Sequence, residues 1–521
     1  MSNRAARQRA LEVLAAFELE PTSLVTYQSA GKIIALGDAG ALDKCAELPA
    51  SLDIKRVASD AGQIRVEGYL GAYTVSVSDP QGNVVTHQAD AIVDLNRDPV
   101  LLREMPPPGY FHVPPADWEQ QALAVELENL TGEFEKPKYF DYDPSICAHG
   151  VNGKTVCTRC IDACPAEAIA SIGERIAVNP NLCQGGGTCT TVCPSGAIRY
   201  LYPNLRDSGK RLRDVLDVYR EQGGKAPVVL FHAENASPDS YLQAYDNVLP
   251  VPVEELGSVG MDLCLSALAY GAMQVVLLAD AQLPRSTLLN LQQQLDWLHA
   301  VITELGLGSA YVTICQNEAA LPGVDDDKVV RAAIYDMPQS KRNAIFQSLD
   351  HLVAELGPRA EQVRLPASAP FGEVAIDAQK CTLCMACVGA CPGRALQDGS
   401  NREVPEVFFI ESNCLQCGAC VQTCPEDAVA LTPRMLFDRE KRNRSRALNR
   451  DTPFACIACG KPFAPTSVIQ KMQDKLKDHY MFGSQRALDR LKMCDDCRVA
   501  DIVQDPDALG GQFDPAKGFR Q

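Results

Sequence analysis

A multidomain α+β protein is the fold class this sequence predicts. Two cysteine-dense modules flank a doubly wound α/β domain, and a smaller four-cysteine domain follows them. Three observations carry that prediction. The chain has 521 residues, too many for one hydrophobic core at roughly 100–200 residues per domain. Nineteen of its 22 cysteines gather in three knots. Between the first knot and the second, short apolar runs alternate with helical stretches, the pattern of a parallel sheet wrapped by helices.

Composition narrows the function class. Hydrophobic residues make up 46% of the chain and the net charge is −17. That balance supports globular domains and argues against a nucleic-acid partner, which would need cationic surface to displace counterions. No apolar run approaches the ~18–20 residues of a membrane span, so no membrane partner is expected. The opening "MSNRAARQRALEVLAAFELE" has arginines but neither an apolar stretch nor a small-residue cleavage site. It reads as an amphipathic surface helix rather than a signal peptide. A cytoplasmic location is expected, and in a reducing compartment dense cysteine means metal rather than disulfides.

Residues 1–140 alternate apolar strands such as "GKIIALG" and "YTVSVSD" with the helix-like "GALDKCAELPA", and "MPPPGYFHVPP" is expected to close the domain as a proline-rich linker. A small α/β or α+β domain with no catalytic constellation is expected there. Residues 141–205 hold the first knot. Cys157, Cys160 and Cys164-Pro165 keep a C-x2-C-x3-C-P spacing, and Cys147 precedes them across the nine-residue insertion "AHGVNGKTV". The insertion is polar and glycine-bearing, so it can loop out. The partner run is Cys183, Gly186, Cys189 and Cys193-Pro194, with glycine where a second cysteine would stand.

This spacing is that of an iron–sulfur site. Three closely spaced thiolates wrap one face of a cubane, and the fourth cysteine of each run ligates the other cluster. Exchange of this kind assigns Cys147, Cys157, Cys160 and Cys193 to a [4Fe-4S] cluster. It leaves Cys183, Cys189 and Cys164 around a site open to three readings: [3Fe-4S], [4Fe-4S] with a non-cysteine ligand, or an empty, packed space. The three retained thiols and the intact Pro-Ser-Gly-Ala turn favour a bound cluster, with [3Fe-4S] slightly ahead. His149 and Asp162 are near in sequence and read as ordinary polar loop residues rather than as the missing ligand.

Residues 206–322 supply the doubly wound domain. "APVVLFHAE", "NVLPVPVEE", "MQVVLLAD" and "AYVTICQ" read as strands, and "MDLCLSALAYGA" and "RSTLLNLQQQLDWLHAVITELG" as helices. A ligand crevice would lie at the strands' carboxyl ends, which carry His232 and Asp280. The loop "GSVGMD" offers only GxxG, and no G-x-G-x-x-G follows a strand. A docking or structural role is therefore preferred to flavin or nucleotide binding. Residues 323–370 form a helical linker through "QSKRNAIFQSLDHLVAEL".

Residues 371–432 contain two complete runs, Cys381, Cys384, Cys387, Cys391-Pro392 and Cys414, Cys417, Cys420, Cys424-Pro425. By exchange, one [4Fe-4S] cluster takes Cys381, Cys384, Cys387 and Cys424, and the other takes Cys414, Cys417, Cys420 and Cys391. Residues 433–521 begin with the basic linker "DREKRNRSRALNR", read as solvated or as a dock for an acidic redox partner. Cys456, Cys459, Cys494 and Cys497 then form two distant C-x2-C knuckles. Such a set most often holds structural zinc in a zinc-ribbon-like domain, with a single iron as the rival. Its closed coordination leaves no open position for catalysis. The insert between the knuckles reads helical, with Val468, Ile469, Met472 and Leu476 on one face. Cys45, Cys264 and Cys315, isolated in apolar surroundings, read as buried, inert thiols.

Residues 371–432 resemble the bacterial two-[4Fe-4S] ferredoxin domain, and 141–205 a modified copy of it. "PPPGYFHVPPADW" and "GEFEKPKYFDYDPSICAHG", with the two unequal modules, resemble multidomain cytoplasmic bacterial 4Fe-4S proteins associated with formate dehydrogenase. Residues 226–316 resemble the delta subunit of methyl-viologen-reducing hydrogenase. There the family's own cysteines hold a cluster, whereas only Cys264 and Cys315 remain here. The resemblance implies a soluble electron-transfer protein or subunit that relays electrons between a dehydrogenase and other redox partners and is not catalytic alone. The expected cofactors are three [4Fe-4S] clusters, a fourth three-cysteine cluster and Zn2+. Two alternatives remain: a flavin- or nucleotide-binding oxidoreductase subunit using residues 206–322, and a cluster-dependent nucleic-acid-binding or regulatory protein.

Overall fold

The computed structural model describes residues 2–316, 320–325, 330–399 and 404–505. Residues 317–319 of the expected doubly wound domain and 506–521 of the expected C-terminal domain lie outside them. The chain divides into two compact units, residues 1–360 and 361–521. Among the described residues, no helix is long and apolar enough to cross a membrane.

In the first unit, "KIIALG" becomes the strand Lys32–Gly37, almost wholly buried. It is central to a parallel sheet ordered Asp53–Ala58, Lys32–Gly37, Ala91–Asp94, Tyr110–His112. A three-stranded antiparallel meander, Gln63–Glu67, Tyr73–Ser78 and Val84–Ala89, packs its alternating apolar residues on one face of that sheet. "PPPGYFHV" is not a free linker. Tyr110–His112 is the fourth strand, and the buried Tyr73 hydroxyl donates to the carbonyls of Pro107 and Pro108 at 3.1 and 2.9 Å.

The opening helix, Asn3–Ala15, is capped by Ser2 and packs against the helix Leu205–Glu221. Arg7 donates to the carbonyls of Tyr245 and Leu242 at 2.8 and 3.2 Å. It therefore covers the doubly wound domain rather than closing only on residues 16–140, a long-range pairing with no local signature.

That domain has four parallel strands in the order Val248–Val253, Val228–Ala233, Gln274–Ala279, Val312–Gln316. Both middle strands are buried at every residue, as expected when helices cover both faces. Strand order reverses between Val228–Ala233 and Gln274–Ala279, which makes their carboxyl ends the topological switch point. Helices Met261–Ala269 and Arg285–Glu304 follow the expected spans. The helix Lys341–Leu356 packs on Met261–Ala269, with Ser266 and Ser348 hydroxyls 2.9 Å apart in the core.

The first cysteine module is closed by the antiparallel pair Phe140–Tyr142 and Ile198–Tyr200 and carries the hairpin Ile169–Ile172, Arg175–Val178. The insertion after Cys147 folds as a hairpin of its own, Gly150–Val151 with Lys154–Thr155. Asn152 and Gly153 turn it with φ of 53° and 75°, the conformation for which an Asn-Gly pair is favoured.

The second unit pairs Gly372–Ile376 with Val429–Leu436, and Leu396–Asp398 with Glu406–Phe409. The basic run departs from the expected solvated linker, because the module consumes much of it. Arg446–Arg450 is a third strand beside Glu406–Phe409. Arg442 is 2% exposed, and its Nη1 donates to Leu436 O at 2.7 Å. Arg434 grips Glu411 with two nitrogens at 2.8 and 2.7 Å, while Arg446 donates to Glu411 and Glu373 at 3.0 Å each. Burial opposes ionisation of Glu411, but Arg434 and Arg446 outweigh it and hold the carboxyl below its ordinary value.

Removing one partner of a buried pair strands the others. Glu411→Ala should therefore cost about 3–5 kcal/mol in the second unit, read from hydrogen exchange in residues 404–450. The depressed carboxyl contributes stability that is present above its ordinary value and lost as pH falls through the lowered one. The deficit of the variant should accordingly shrink on acidification, and a deficit unchanged down to strong acid would exclude the ion pairs as its source.

Candidate cluster and metal sites

In the second module the sequence places cysteines on loops whose backbone is held in an unusual conformation. Leu383 and Met385 flank Cys384 with φ of 54° and 61°, and Gln416 and Gly418 flank Cys417 with φ of 50° and 87°. A left-handed residue on each side of the middle cysteine turns three sulfurs toward one point. Left-handed leucine and methionine are costly, and such outliers persist where the surroundings enforce them. After each Cys-Pro, the second residue is again left-handed: Arg394 at 51° and Asp427 at 47°. The next amides then point back, Ala395 N to Cys391 Sγ at 3.2 Å and Ala428 N to Cys424 Sγ at 3.4 Å.

These loops bound two separate small cavities. One is lined by Cys414, Cys417, Cys420 and Cys391, the other by Cys381, Cys384, Cys387 and Cys424. Each has three cysteines from one run and the fourth from the other. Burial raises the Cys387 thiol to about 11, with the charges of Cys381, Cys384 and Cys424 adding. Burial likewise raises Cys420, with Cys417, Cys414 and Cys391 adding. Four such groups ionise together only around compensating positive charge, so the donor set fits a cationic iron–sulfur core.

The first module repeats the exchange electrostatically. Burial, with Cys193, Cys157 and Cys147 adding, pushes the Cys160 thiol up to about 12. Cys189 is raised by burial and then by Cys164 and Cys183. Cys189 also feels Cys160 and Cys193, and six of the module's seven cysteines share one apolar cluster. His149 has both ring nitrogens engaged, with Cys157 O at 2.7 Å and Ser171 Oγ at 2.8 Å. Asp162 is exposed and accepts from Thr158 Oγ1 at 2.6 Å. Both behave as polar loop residues.

The loop "CQGGGTC" keeps the ligand-loop backbone without its cysteine. Gly185 and Gly187 are left-handed, with φ of 80° and 75°, and flank Gly186 as Leu383 and Met385 flank Cys384. The outer glycines have a second use. A Cβ at Gly185 would stand 3.1 Å from the Tyr139 ring, and one at Gly187 would stand 2.5 Å from Ser258 Cα. Gly257, in turn, would touch Gly186 O at 2.3 Å. The "GSVG" loop of the doubly wound domain therefore lies directly on the three-cysteine loop.

Several residues around this site carry no sequence signal. Lys136 donates to Cys183 O at 2.6 Å, and burial lowers its ammonium to about 8 against the pull of Cys183. Tyr200 donates to Gly185 O at 2.7 Å and stacks on Tyr139. Lys341 donates to Cys193 O at 3.3 Å. Arg103 pairs with Glu167 at 3.2 Å, and its charge favours the Cys164 thiolate against the larger effect of burial. Its Nη1 is buried without a hydrogen-bond partner. A buried donor left unmade is costly, and the sulfurs of a cluster held at Cys164 would accept from it. A packed, empty site would not.

The last knot brings Cys456, Cys459, Cys494 and Cys497 together, with all four sulfurs within 4.8 Å of one another. Cys459 and Cys494 sulfurs are 3.7 Å apart, close to the ~3.8 Å edge of a tetrahedron with Zn–S near 2.3 Å. Burial opposes ionisation of Cys456, but amides of Cys494, Cys459 and Ala458 outweigh it and bring the thiol down to about 6. The helices Thr466–Leu476 and Gln485–Arg490 lie between the knuckles. Cys45, Cys264 and Cys315 are buried at 6%, 0% and 6% exposure.

The switch point of the doubly wound domain is acidic. Ala233, Asn235, Glu255, Asp280 and Gln282 line its crevice, which Met105 also borders. Burial raises Glu255 to about 7, with Asp280 and Glu254 adding, a setting unfavourable to a phosphate. His232 is buried and its Nδ1 lies 2.9 Å from Ala233 O. A separate cavity of about 460 Å³ opens beside the other strand ends. Phe231, Val251, Tyr200, Arg211, Asp262 and Lys341 are among its lining residues.

Two outcomes test this geometry. Gly187→Ala should lose the three-cysteine site's iron, because its Cβ meets backbone in a left-handed residue. Gly186→Ala should keep it, since its nearest neighbours stand at 3.6 Å. Equal iron in the two variants would remove the packing argument. At the last knot, Ile469 and Leu491 are the only fully buried apolar side chains besides cysteine among described residues 453–505. Chelation should therefore unfold this segment, seen as rapid proteolysis there while residues 371–432 stay protected.

Comparison with known families agrees with the two modules. The model of a 4Fe-4S dicluster domain matches residues 380–428, and that of a 4Fe-4S binding domain matches residues 176–199. The second match spans the glycine-bearing loop and its three cysteines Cys183, Cys189 and Cys193. No curated protein matches the chain. With two 4Fe-4S ferredoxin-type domains, the chain is an iron–sulfur protein.

Proposed function

We propose that this chain is an electron-transfer protein or subunit that relays single electrons between a dehydrogenase and other redox partners. The observation that carries the reading is the pair of cavities in residues 371–432, each drawing three sulfurs from one run and one from the other. Bound clusters would supply one-electron couples over a wide range of potential. Cys381, Cys384, Cys387 and Cys424 would hold one, and Cys414, Cys417, Cys420 and Cys391 the next. Cys147, Cys157, Cys160 and Cys193 would hold a third, and Cys183, Cys189 and Cys164 a fourth, read as [3Fe-4S]. Around them the chain excludes water and donates amides to sulfur, as Ala168 N does to Cys164 Sγ at 3.4 Å. Cys456, Cys459, Cys494 and Cys497 would hold zinc as a structural ion. The resemblance carried by "PPPGYFHVPPADW", "GEFEKPKYFDYDPSICAHG" and the two unequal modules makes formate dehydrogenase the proposed donor. The doubly wound domain then serves as a docking body seated on the three-cysteine loop.

A second reading rests on the cavity of about 460 Å³, a size suited to an organic cofactor. Arg211 and Lys341 would receive an anionic group there and the apolar strand ends a ring. This makes the chain a flavin- or nucleotide-binding oxidoreductase subunit.

Anaerobically purified protein distinguishes the two. The relay predicts about fifteen or sixteen irons per chain, one zinc, no flavin, and no turnover of formate or NAD without an added dehydrogenase. Stoichiometric flavin or nucleotide with turnover by the chain alone would establish the second reading. Iron near eight would confine the relay to residues 371–432.

A further inference from the structure

The missing thiolate at Gly186 leaves a corner that the fold fills from elsewhere. Gly186 stands between two left-handed residues, the position of Cys384 and Cys417 in the complete loops, so a Cβ there marks the start of the absent ligand. The atoms such a Cβ would meet first are Met105 Cε at 3.6 Å, Pro165 Cγ at 3.6 Å and Met105 Sδ at 3.7 Å. Pro165 follows Cys164, one of the three remaining thiols. Met105 comes from the segment that leads into the strand Tyr110–His112.

That segment is fastened on every side. Met105 N donates to Pro165 O at 3.1 Å, and Met105 O accepts from Gln184 Nε2 at 3.1 Å. Arg103 pairs with Glu167 at 3.2 Å, and its charge acts on Cys164. Glu104 accepts from Ser286 N at 2.9 Å and from its hydroxyl at 2.5 Å. Both halves of the three-cysteine site and the doubly wound domain thus hold Met105 in place. On its far side Met105 borders the crevice of Glu255, Asp280 and Asn235, whose oxygens are hard donors of the kind that carry a hydrated metal ion.

We propose that Met105 is a plug between the open corner of the three-cysteine site and this acidic crevice, keeping a fourth iron and its water out and so fixing the site as a three-iron cluster. The proposal rests on the reading that this site holds a cluster. The thioether is bulky, apolar and a weak ligand. It fills the corner without offering the thiolate or water that a fourth iron needs. The reaction it prevents is balanced. One electron from dithionite takes [3Fe-4S]+ to [3Fe-4S]0, and uptake of one Fe2+ then gives [4Fe-4S]2+.

The test compares full-length wild type, Met105→Ala and Met105→Leu, each treated anaerobically with dithionite and excess Fe2+, then desalted and reoxidised. Iron and the near-isotropic oxidised three-iron signal in electron paramagnetic resonance are read for each. Wild type and Met105→Leu should keep about fifteen irons and the full signal. Met105→Ala should gain about one iron and lose most of the signal, and Met105→Val serves if the alanine variant is not isolated. The double variant Met105→Ala with Gly186→Cys, which removes the plug and brings its own thiolate, is the positive control for conversion. The plug is overturned if the shortened variants resist conversion as wild type does, if wild type converts as readily as they do, or if it carries sixteen irons without the signal when isolated. Conversion of Met105→Leu would also overturn it, by making sulfur ligation rather than bulk the cause. Wild-type iron of about twelve without the signal removes the cluster itself, and the plug falls with that reading.

Discussion

Thiolates repel one another, and each resists ionisation in a buried setting, yet this fold gathers nineteen cysteines into three compact groups. The same tension recurs in both ferredoxin-type modules: burial raises the thiols, and neighbouring sulfurs raise them further. Only a cation held among them makes the arrangement favourable, so the fold and its inorganic cores are one thermodynamic problem. Much of the surrounding chain supplies lesser compensation. Backbone amides point at Cys164, Cys391 and Cys424, and cations approach from Lys136, Lys341 and Arg103.

The backbone makes its own concession. Left-handed Leu383, Met385, Gln416, Arg394 and Asp427 are conformations that side chains avoid, accepted where converging sulfurs require them. At the three-cysteine loop this role falls to Gly185 and Gly187, which also admit Tyr139 and Ser258 at close range. Glycine there serves two demands together, backbone conformation and the approach of a neighbouring domain. This explains the two outer glycines of the run. The consequence for the doubly wound domain is that its glycine loop lies on the three-cysteine loop, and its switch-point crevice is lined with carboxylates.

Local chemistry was legible from sequence wherever spacing alone dictates it. The strands Val228–Ala233, Val248–Val253 and Gln274–Ala279 lie within the apolar runs that announced them, because a sheet buried on both faces needs unbroken apolar stretches. The four last cysteines converge as their knuckles implied, and Cys45, Cys264 and Cys315 are buried. The basic run 438–450 was misleading. Charge content marks a segment as solvated only when no buried acid awaits it, and Glu411 lies distant in sequence from Arg446.

The sequence by itself determined which residues can be ligands, since a C-x2-C-x2-C spacing restricts the directions in which three sulfurs can point. It also determined where turns and buried strands fall, because φ preference and apolar periodicity are local. Only tertiary structure decided what surrounds those ligands. Met105 reaches the corner at Gly186, Arg103 stands beside Cys164, Lys341 meets Cys193, and the opening helix covers Leu205–Glu221. Each joins residues far apart in the chain. Such pairings leave no periodic or spacing signal, because they are fixed by the packing of whole domains rather than by the chemistry of neighbours in sequence.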